Sequence, residues 1–324
     1  DPNPHVYRLI DQHADHLHWD TREAWSDVRQ LGVTATSSQA GGGHAHTGLM
    51  FYLGDNWPGE YRGKLFTINY HGRRLNVENV DRNGSGYTGR RAPDMAQQAD
   101  PWFRGLDLLA GPDGGVFVSD WSDTGECHDS DGVHRQSGRI YKITHGQPAR
   151  PAMGDLARLG DAELLPLLRS GNEWLARAAR KQIQERAARG ADLHATRAAL
   201  RQMVVTSSDA VFALRALWSL HAAGGADAAF LRAQLGHASE YVRAWAIRLL
   251  LDDPAAVDAQ TPTAFARLAR TEPSAHVRLA LVSGLQRLPL HERAAIARPL
   301  LARAEDAADH NLPLMLWYGL EALA

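Results

Sequence analysis

Between two apolar runs, Val116–Phe117–Val118 and Ile140–Tyr141–Lys142–Ile143, the chain places Asp120, Asp123, Glu126, Cys127, His128, Asp129, Asp131, His134 and Arg135. Ionisable groups at that density repel one another unless a metal, a ligand or a set of internal ion pairs organises them. Asp123, Glu126, Asp129 and Asp131 offer hard oxygens that suit calcium. Adding His128 or His134 suits zinc or another transition metal. The order matches no EF-hand loop. In the alternative reading, Arg135 and Arg139 neutralise the carboxylates and the loop is structural. Cys127 beside His128 reads as a reactive thiolate or as a buried, inert thiol.

Three further groups could do chemistry. His44 and His46 stand at alternate positions after three glycines in GGGHAHTG, so an extended chain points both the same way. They are candidates for a general base or metal ligands, or for tying a turn to its neighbours. His71, Arg73 and Arg74 lie in NYHGRRLN; a guanidinium fork there could hold a carboxylate or another anion, or simply pair with nearby aspartates. Arg104 in DPWFRG reads as a packing corner and is also a candidate anion holder.

These residues sit among short apolar runs at 49–53, 64–70, 105–109, 116–119 and 139–144. The runs are separated by the turn sequences GDNWPGE, DRNGSG and GPDGG. Strands roughly every ten residues predict an all-β region over 1–146. Pro148 and Pro151 mark a linker, 147–154. From residue 155 the pattern changes to Ala, Leu and Arg at helical spacing. Leu175, Val211, Val242, Val277 and Leu312 recur at intervals of 36, 31, 35 and 35 residues. Helix pairs at that interval predict an α-solenoid over 155–324, in which each pair buries its apolar face on the next. The V-R pairs at Val242–Arg243 and Val277–Arg278 make it HEAT-like, with Arg243 and Arg278 expected to pair with acidic helix ends. Trp174, Trp218, Trp245 and Trp317 read as core.

Composition narrows the function classes. The 324 residues are 44% hydrophobic and 22% charged, ordinary for a globular protein. A formal net charge of -2 leaves no basic excess for a nucleic-acid backbone. No run of 18 apolar residues predicts a membrane span. A chain opening on Asp1 and closing on an apolar helix reads as a segment of a longer protein.

The motifs GGGHAHTGLMFYLGDNWPGEYRGKLF, NYHGRRLN, GSGY, DPWFRGLDLLAGPDGGVFVSDWSDTGECH and GVHRQSGRIYKITHG resemble the closing blades of a β-propeller. That propeller belongs to the planctomycete-type membrane-bound dehydrogenase family, also called PVC-type haem-binding proteins. The resemblance implies a mixed two-domain fold: about three blades of a propeller, then HEAT-like repeats. The family's haem c sits on a CxxCH motif in a domain that this segment lacks. The propeller is similar in turn to quinoprotein sugar dehydrogenases. On that basis the segment is expected to belong to an extracytoplasmic dehydrogenase of sugars or other alcohols that uses pyrroloquinoline quinone and calcium. His44, His46, His71 and Arg73 would be catalytic, Arg74, Arg104 and Arg135 would hold the cofactor, and Asp123, Glu126, His128 and Asp129 the metal. The repeats would connect to a cytochrome c domain or another protein. The alternative is a non-catalytic propeller-plus-solenoid module that binds a polysaccharide or a protein.

Overall fold

A computed structural model describes residues 46–70, 72–123, 136–148 and 154–323. The chain divides into two compact units, a β unit up to Pro151 and a helical unit from Ala152, with one exchange: Asp81–Thr88 belongs to the helical unit.

The β unit holds two antiparallel sheets. Strands β1 (His46–Phe51), β2 (Leu65–Asn69), β3 (Arg74–Asn83) and β4 (Gly86–Gln97) form the first in that order, and β5 (Gly105–Ala110), β6 (Val116–Asp120) and β7 (Arg139–Ile143) the second. Alternation decides what each strand buries. In β6, Val116, Val118 and Asp120 face inward while Phe117 faces out. An acid therefore sits at the end of an otherwise apolar face. Tyr52, Trp57, Phe66, Ile68, Leu75, Val77, Phe103 and Leu108 complete the core. Tyr52 stacks on Trp57 at 4.4 Å, and its hydroxyl donates to the Gly114 carbonyl (2.9 Å) and accepts from the Trp57 amide (2.7 Å).

The two sheets meet through β1 and β5. The Thr47 hydroxyl donates to the Gly105 carbonyl at 2.7 Å. Gly48 lies beside this contact in the left-handed region (φ 58). A Cβ there would come within 3.0 Å of the Asp107 Cα, so only glycine allows this approach. β2 ends at Asn69 and Arg74 opens β3. The β3–β4 hairpin was not expected as strand at all. Its outward positions are polar, and Pro93 sits inside β4, tolerated because β4 is an edge strand.

The helical unit contains ten described helices: α1 (Asp161–Leu167), α2 (Glu173–Ala188), α3 (His194–Thr206), α4 (Ala210–Ala222), α5 (Ala228–Gln234), α6 (Glu240–Leu250), α7 (Gln260–Thr271), α8 (Ala275–Gly284), α9 (Leu290–Leu301) and α10 (Leu312–Leu320). Even-numbered helices stack in sequence on one another, and the odd-numbered helices pack against them as a second layer. One continuous core runs between the layers. Side-chain N-caps recur at the starts of even-numbered helices: Asn172, Asp209 and Ser274 each accept a first-turn amide. The cap corrects the repeat register at α4. Val211 is 56% exposed, and Phe212 takes the core position. Trp317 is also 46% exposed rather than core, and Trp218 and Trp245 are half-buried. No helix among the described residues is long and apolar enough to cross a membrane.

Arginines lace the repeats together. Arg215 pairs with Glu173 (2.5 Å) and donates to the Leu168 and Ser170 carbonyls. Arg243 pairs with Glu272 (2.7 Å) and donates to the His237 carbonyl. Arg278 pairs with Asp306 and donates to the Pro273 carbonyl. Arg243 and Arg278 each close the loop before their own helix, whereas Arg215 closes the loop before α2.

Within the same unit, the hairpin tip at Asp81–Thr88 is held by Asp309. Its carboxylate accepts from the Ser85 amide (2.7 Å) and hydroxyl (2.6 Å), and from the Asn311 and Leu312 amides. Gly84 (φ 53) turns the tip so closely that a Cβ would collide with the Asp309 carboxylate. Burial pushes the Asp309 pKa up, but the Ser85 hydroxyl and the three amides outweigh it and lower the carboxyl from 3.8 to about 2. A depressed acid stabilises the fold above its ordinary pKa, and that stability is lost as pH falls through the folded value. The Ser85 amide resonance is therefore expected to hold its position down to about pH 4 and then shift with a midpoint of about 2. In Asp309→Asn the transition should vanish. A midpoint near 3.8 in the parent would contradict the assignment.

Candidate functional site

The pairing register gathers strand ends. His46 lies opposite Asn69, and Asn69 opposite Arg74, at one end of the first sheet. Gly105 lies opposite Asp120, and Asp120 opposite Arg139, at one end of the second. The Thr47–Gly105 hydrogen bond joins these ends, and the Arg104 guanidinium lies 5.7 Å from the Tyr70 ring centroid. His46, Arg73, Arg74, Arg104 and Asp123 therefore share one end of the β unit. His44, His71, Glu126, Cys127, His128, Asp129 and Arg135 lie outside the described residues.

Most charges at this end are engaged. Arg74 pairs with Asp94 at 3.0 Å, and Asp94 also receives Arg91 (2.7 Å) and the Asn76 amide (2.9 Å). Arg104 donates to the Pro101 and Phe103 carbonyls. Asp120 is 4% exposed; one oxygen accepts the amides of Arg104 (2.7 Å) and Ser122 (2.9 Å), and the other receives Arg139 (2.6 Å). Arg139 also pairs with Asp100 at 2.6 Å. Burial pushes the Asp100 carboxyl up, yet the Trp102 amide and the Arg139 guanidinium prevail and hold it below the ordinary carboxylate range. Asp123 is 2% exposed and accepts from the Trp121 indole at 3.1 Å. Arg139, a partner foreseen for the carboxylate loop, thus goes to Asp100 and Asp120.

Arg73 differs. It is 6% exposed, forms no ion pair among the described residues, and its Nε is sealed from solvent without an acceptor there. Burial lowers its pKa, Asp100 acts the other way, and Arg74 adds to the lowering. Its backbone is left-handed (φ 54), pinned by its amide on the Asn69 carbonyl (2.9 Å) and its carbonyl on the Gln98 amide (2.8 Å). Ser122, buried between Asp120 and Asp123, is left-handed too (φ 57). Among the described residues these are the non-glycine positions with positive φ, and both fall at this end. Strain of this kind costs of order 1–3 kcal/mol and gathers at binding and catalytic sites. Arg139 Nη2 is likewise sealed without a partner.

His46 is exposed at the rim, with both ring nitrogens engaged: Nδ1 with the Thr67 hydroxyl (3.2 Å) and Nε2 with the Asn69 amide (3.2 Å). Asn69 is the hub that sequence reading missed. Its side-chain oxygen also accepts the Gly72 amide at 2.6 Å and so shapes the turn that delivers Arg73. An Asn before a His-Gly turn was the available signal. Among the described residues, no three His, Cys, Asp or Glu side chains group to hold a metal. Chemically, the end offers an anion-receptive guanidinium, a positioned imidazole and a wall of neutralised carboxylates.

No curated protein matches the chain. Residues 4–147 match a domain of unknown function (DUF7133), and the strand-end cluster lies inside that match.

Proposed function

We propose that the β unit is part of the propeller of an extracytoplasmic, quinoprotein-like dehydrogenase of sugars or other alcohols, with HEAT-like repeats as its connector. Arg73 is the observation that carries this reading. A buried, strained arginine with no ion pair among the described residues costs the fold free energy, and a bound anion would supply an acceptor. The uncovered apolar faces of both sheets fit blade-to-blade packing: Leu49 and Phe51 on one, Leu109, Phe117 and Ile140 on the other.

The sealed Nε of Arg73 fits a carboxylated quinone, whose oxygens the guanidinium fork would receive. Such a quinone, when bound, accepts the electron pair from the alcohol carbon. The chain's part is binding and proton handling. Arg73 holds the anion, Asn69 fixes the turn, and His46 Nε2 takes the hydroxyl proton after releasing Asn69. Glu126, His128 and Asp129, the residues expected beside Asp123 at a calcium ion, lie outside the described residues, and no role here passes through the ion.

The test is reconstitution of the full-length protein that carries this segment with pyrroloquinoline quinone and calcium, followed by dye reduction with a sugar panel. We expect quinone retention and turnover. Arg73→Gly should cut quinone affinity at least about tenfold while leaving the fold as stable, or about 1 kcal/mol more stable, because glycine relaxes the left-handed backbone. Unchanged affinity in that variant would sink the reading. The second reading, a binding module, is favoured by the internal pairing of Arg74, Arg104 and Arg139. Saturable sugar binding without dye reduction would establish it instead.

A further inference from the structure

On the even-numbered helices, a row of aromatic and basic side chains crosses from one repeat to the next. The Arg180 guanidinium on α2 lies 5.5 Å from the Trp218 ring of α4. Trp218 meets Trp245 of α6 edge to face, at 5.1 Å and 73°. Arg248 lies 5.2 Å from the Trp245 ring. Beyond Arg248 a cavity of about 300 Å3 opens between α6 and α8, bordered by Leu279, Ser283 and Arg287.

The row presents donors and positive charge, and one carboxylate, that of Asp252, stands at the cavity beside Arg248. Among the described residues Arg180 forms no ion pair, and its Nη1 is sealed without a partner, as is the Trp218 indole N–H. Burial lowers the Arg180 pKa despite Glu173. The acids of these helices are committed elsewhere: Glu173 to Arg215 and Arg177, Glu240 to Arg82 and Ser274, Asp252 to His221. Arg248 likewise has no acid partner among the described residues. The repeats therefore contain two kinds of arginine: Arg215, Arg243 and Arg278 are fully paired, whereas Arg180 and Arg248 flank a tryptophan pair with their charge uncompensated.

We infer that this row is a docking surface for an acidic polypeptide segment, whose carboxylates reach Arg180 and Arg248 while its backbone and apolar side chains cover Trp218 and Trp245. Charge complementarity sets the sign of the partner. The indole geometry sets its class. An edge-to-face pair gives one ring face and one edge rather than two parallel platforms for sugar rings. A polypeptide brings carboxylates, carbonyl acceptors for indole and guanidinium N–H groups, and side chains for the cavity. This surface is independent of the strand-end site, and either reading can fail alone.

The test titrates the intact chain with a synthetic peptide of alternating glutamate and leucine, its glutamine counterpart, and an oligogalacturonate, read by tryptophan fluorescence and calorimetry. The glutamate peptide is expected to bind at least about tenfold tighter than the glutamine peptide and to weaken with salt. Arg180→Gln and Arg248→Gln should each cost about tenfold or more. Arg180→Gln should melt at the parent's temperature or above, since it removes a poorly solvated charge; a merely structural arginine would lower it. Equal binding of both peptides, or unchanged binding in both variants, overturns the inference. Binding of the oligogalacturonate without the peptide overturns it in favour of an acidic polysaccharide.

Discussion

Asp120→Ala is expected to destabilise the β unit by about 3–5 kcal/mol, measured by urea unfolding of the intact chain through tryptophan fluorescence. The carboxylate is buried at the end of β6, and each of its oxygens is used. Alanine would orphan the Arg104 and Ser122 amides and strip Arg139 of one of its two carboxylates. A buried N–H left without an acceptor costs about 1–3 kcal/mol, so two such groups and a broken ion pair account for the range. Asp120→Asn keeps one acceptor and should cost less than half as much. Asp120 also fixes Ser122 in its left-handed turn, so near-ultraviolet dichroism of the neighbouring Trp121 should change with it. A loss below about 1 kcal/mol would mean that the Arg139–Asp100 pair supports this end by itself.

The elements around Asp120 were largely legible in the sequence, because β1, β2, β5, β6 and β7 alternate apolar and polar residues between Gly-, Asp- and Pro-rich turns. β3 and β4 escaped because tertiary pairing, not pattern, makes them strands. Arg74 and Asn76 are buried polar residues that each donate to Asp94 across the hairpin, and no local rule foresees an acid some twenty residues away as the partner. The same limit applied to the site. His46, Arg73, Arg74, Arg104 and Asp123 could be chosen by residue type, but which arginine stays without a partner depends on register. In the repeats, Val211 and Phe212 are both apolar, so periodicity could not choose between them. The Asp209 cap does: by starting α4 where it does, it turns Phe212 inward.

Paired and unpaired arginines thus separate stability from binding. At Arg73 and Arg180 a guanidinium sits partly desolvated without an acid, and removing it should leave the fold intact. At the inter-repeat arginines the same substitution should have the opposite effect, and this contrast can be measured.

Arg278→Met is expected to cost the helical unit about 3–5 kcal/mol, followed by far-ultraviolet dichroism in urea. Arg278 is 4% exposed and Asp306 7%. The pair is bidentate, through Nε on Oδ2 (2.6 Å) and Nη2 on Oδ1, while Nη1 holds the Pro273 carbonyl (2.9 Å). Methionine fills a similar volume, so the loss reports the stranded Asp306 carboxylate and the freed carbonyl rather than a cavity. Asp306→Leu alone should cost a similar amount by stranding the guanidinium. The double variant is the decisive arm. If most of the single-variant loss is desolvation of an unpaired charge, Arg278→Met with Asp306→Leu should cost only about 1–2 kcal/mol, far below the sum of the two single losses. If the losses simply add, the Pro273 carbonyl and the helix packing carry the energy, and the ion pair contributes register between repeats but little stability. Since each pair fixes one repeat against another, a non-additive result would also raise unfolding cooperativity as a property of the arginine pairs: disrupting one should lower the m-value by letting the last repeats unfold on their own.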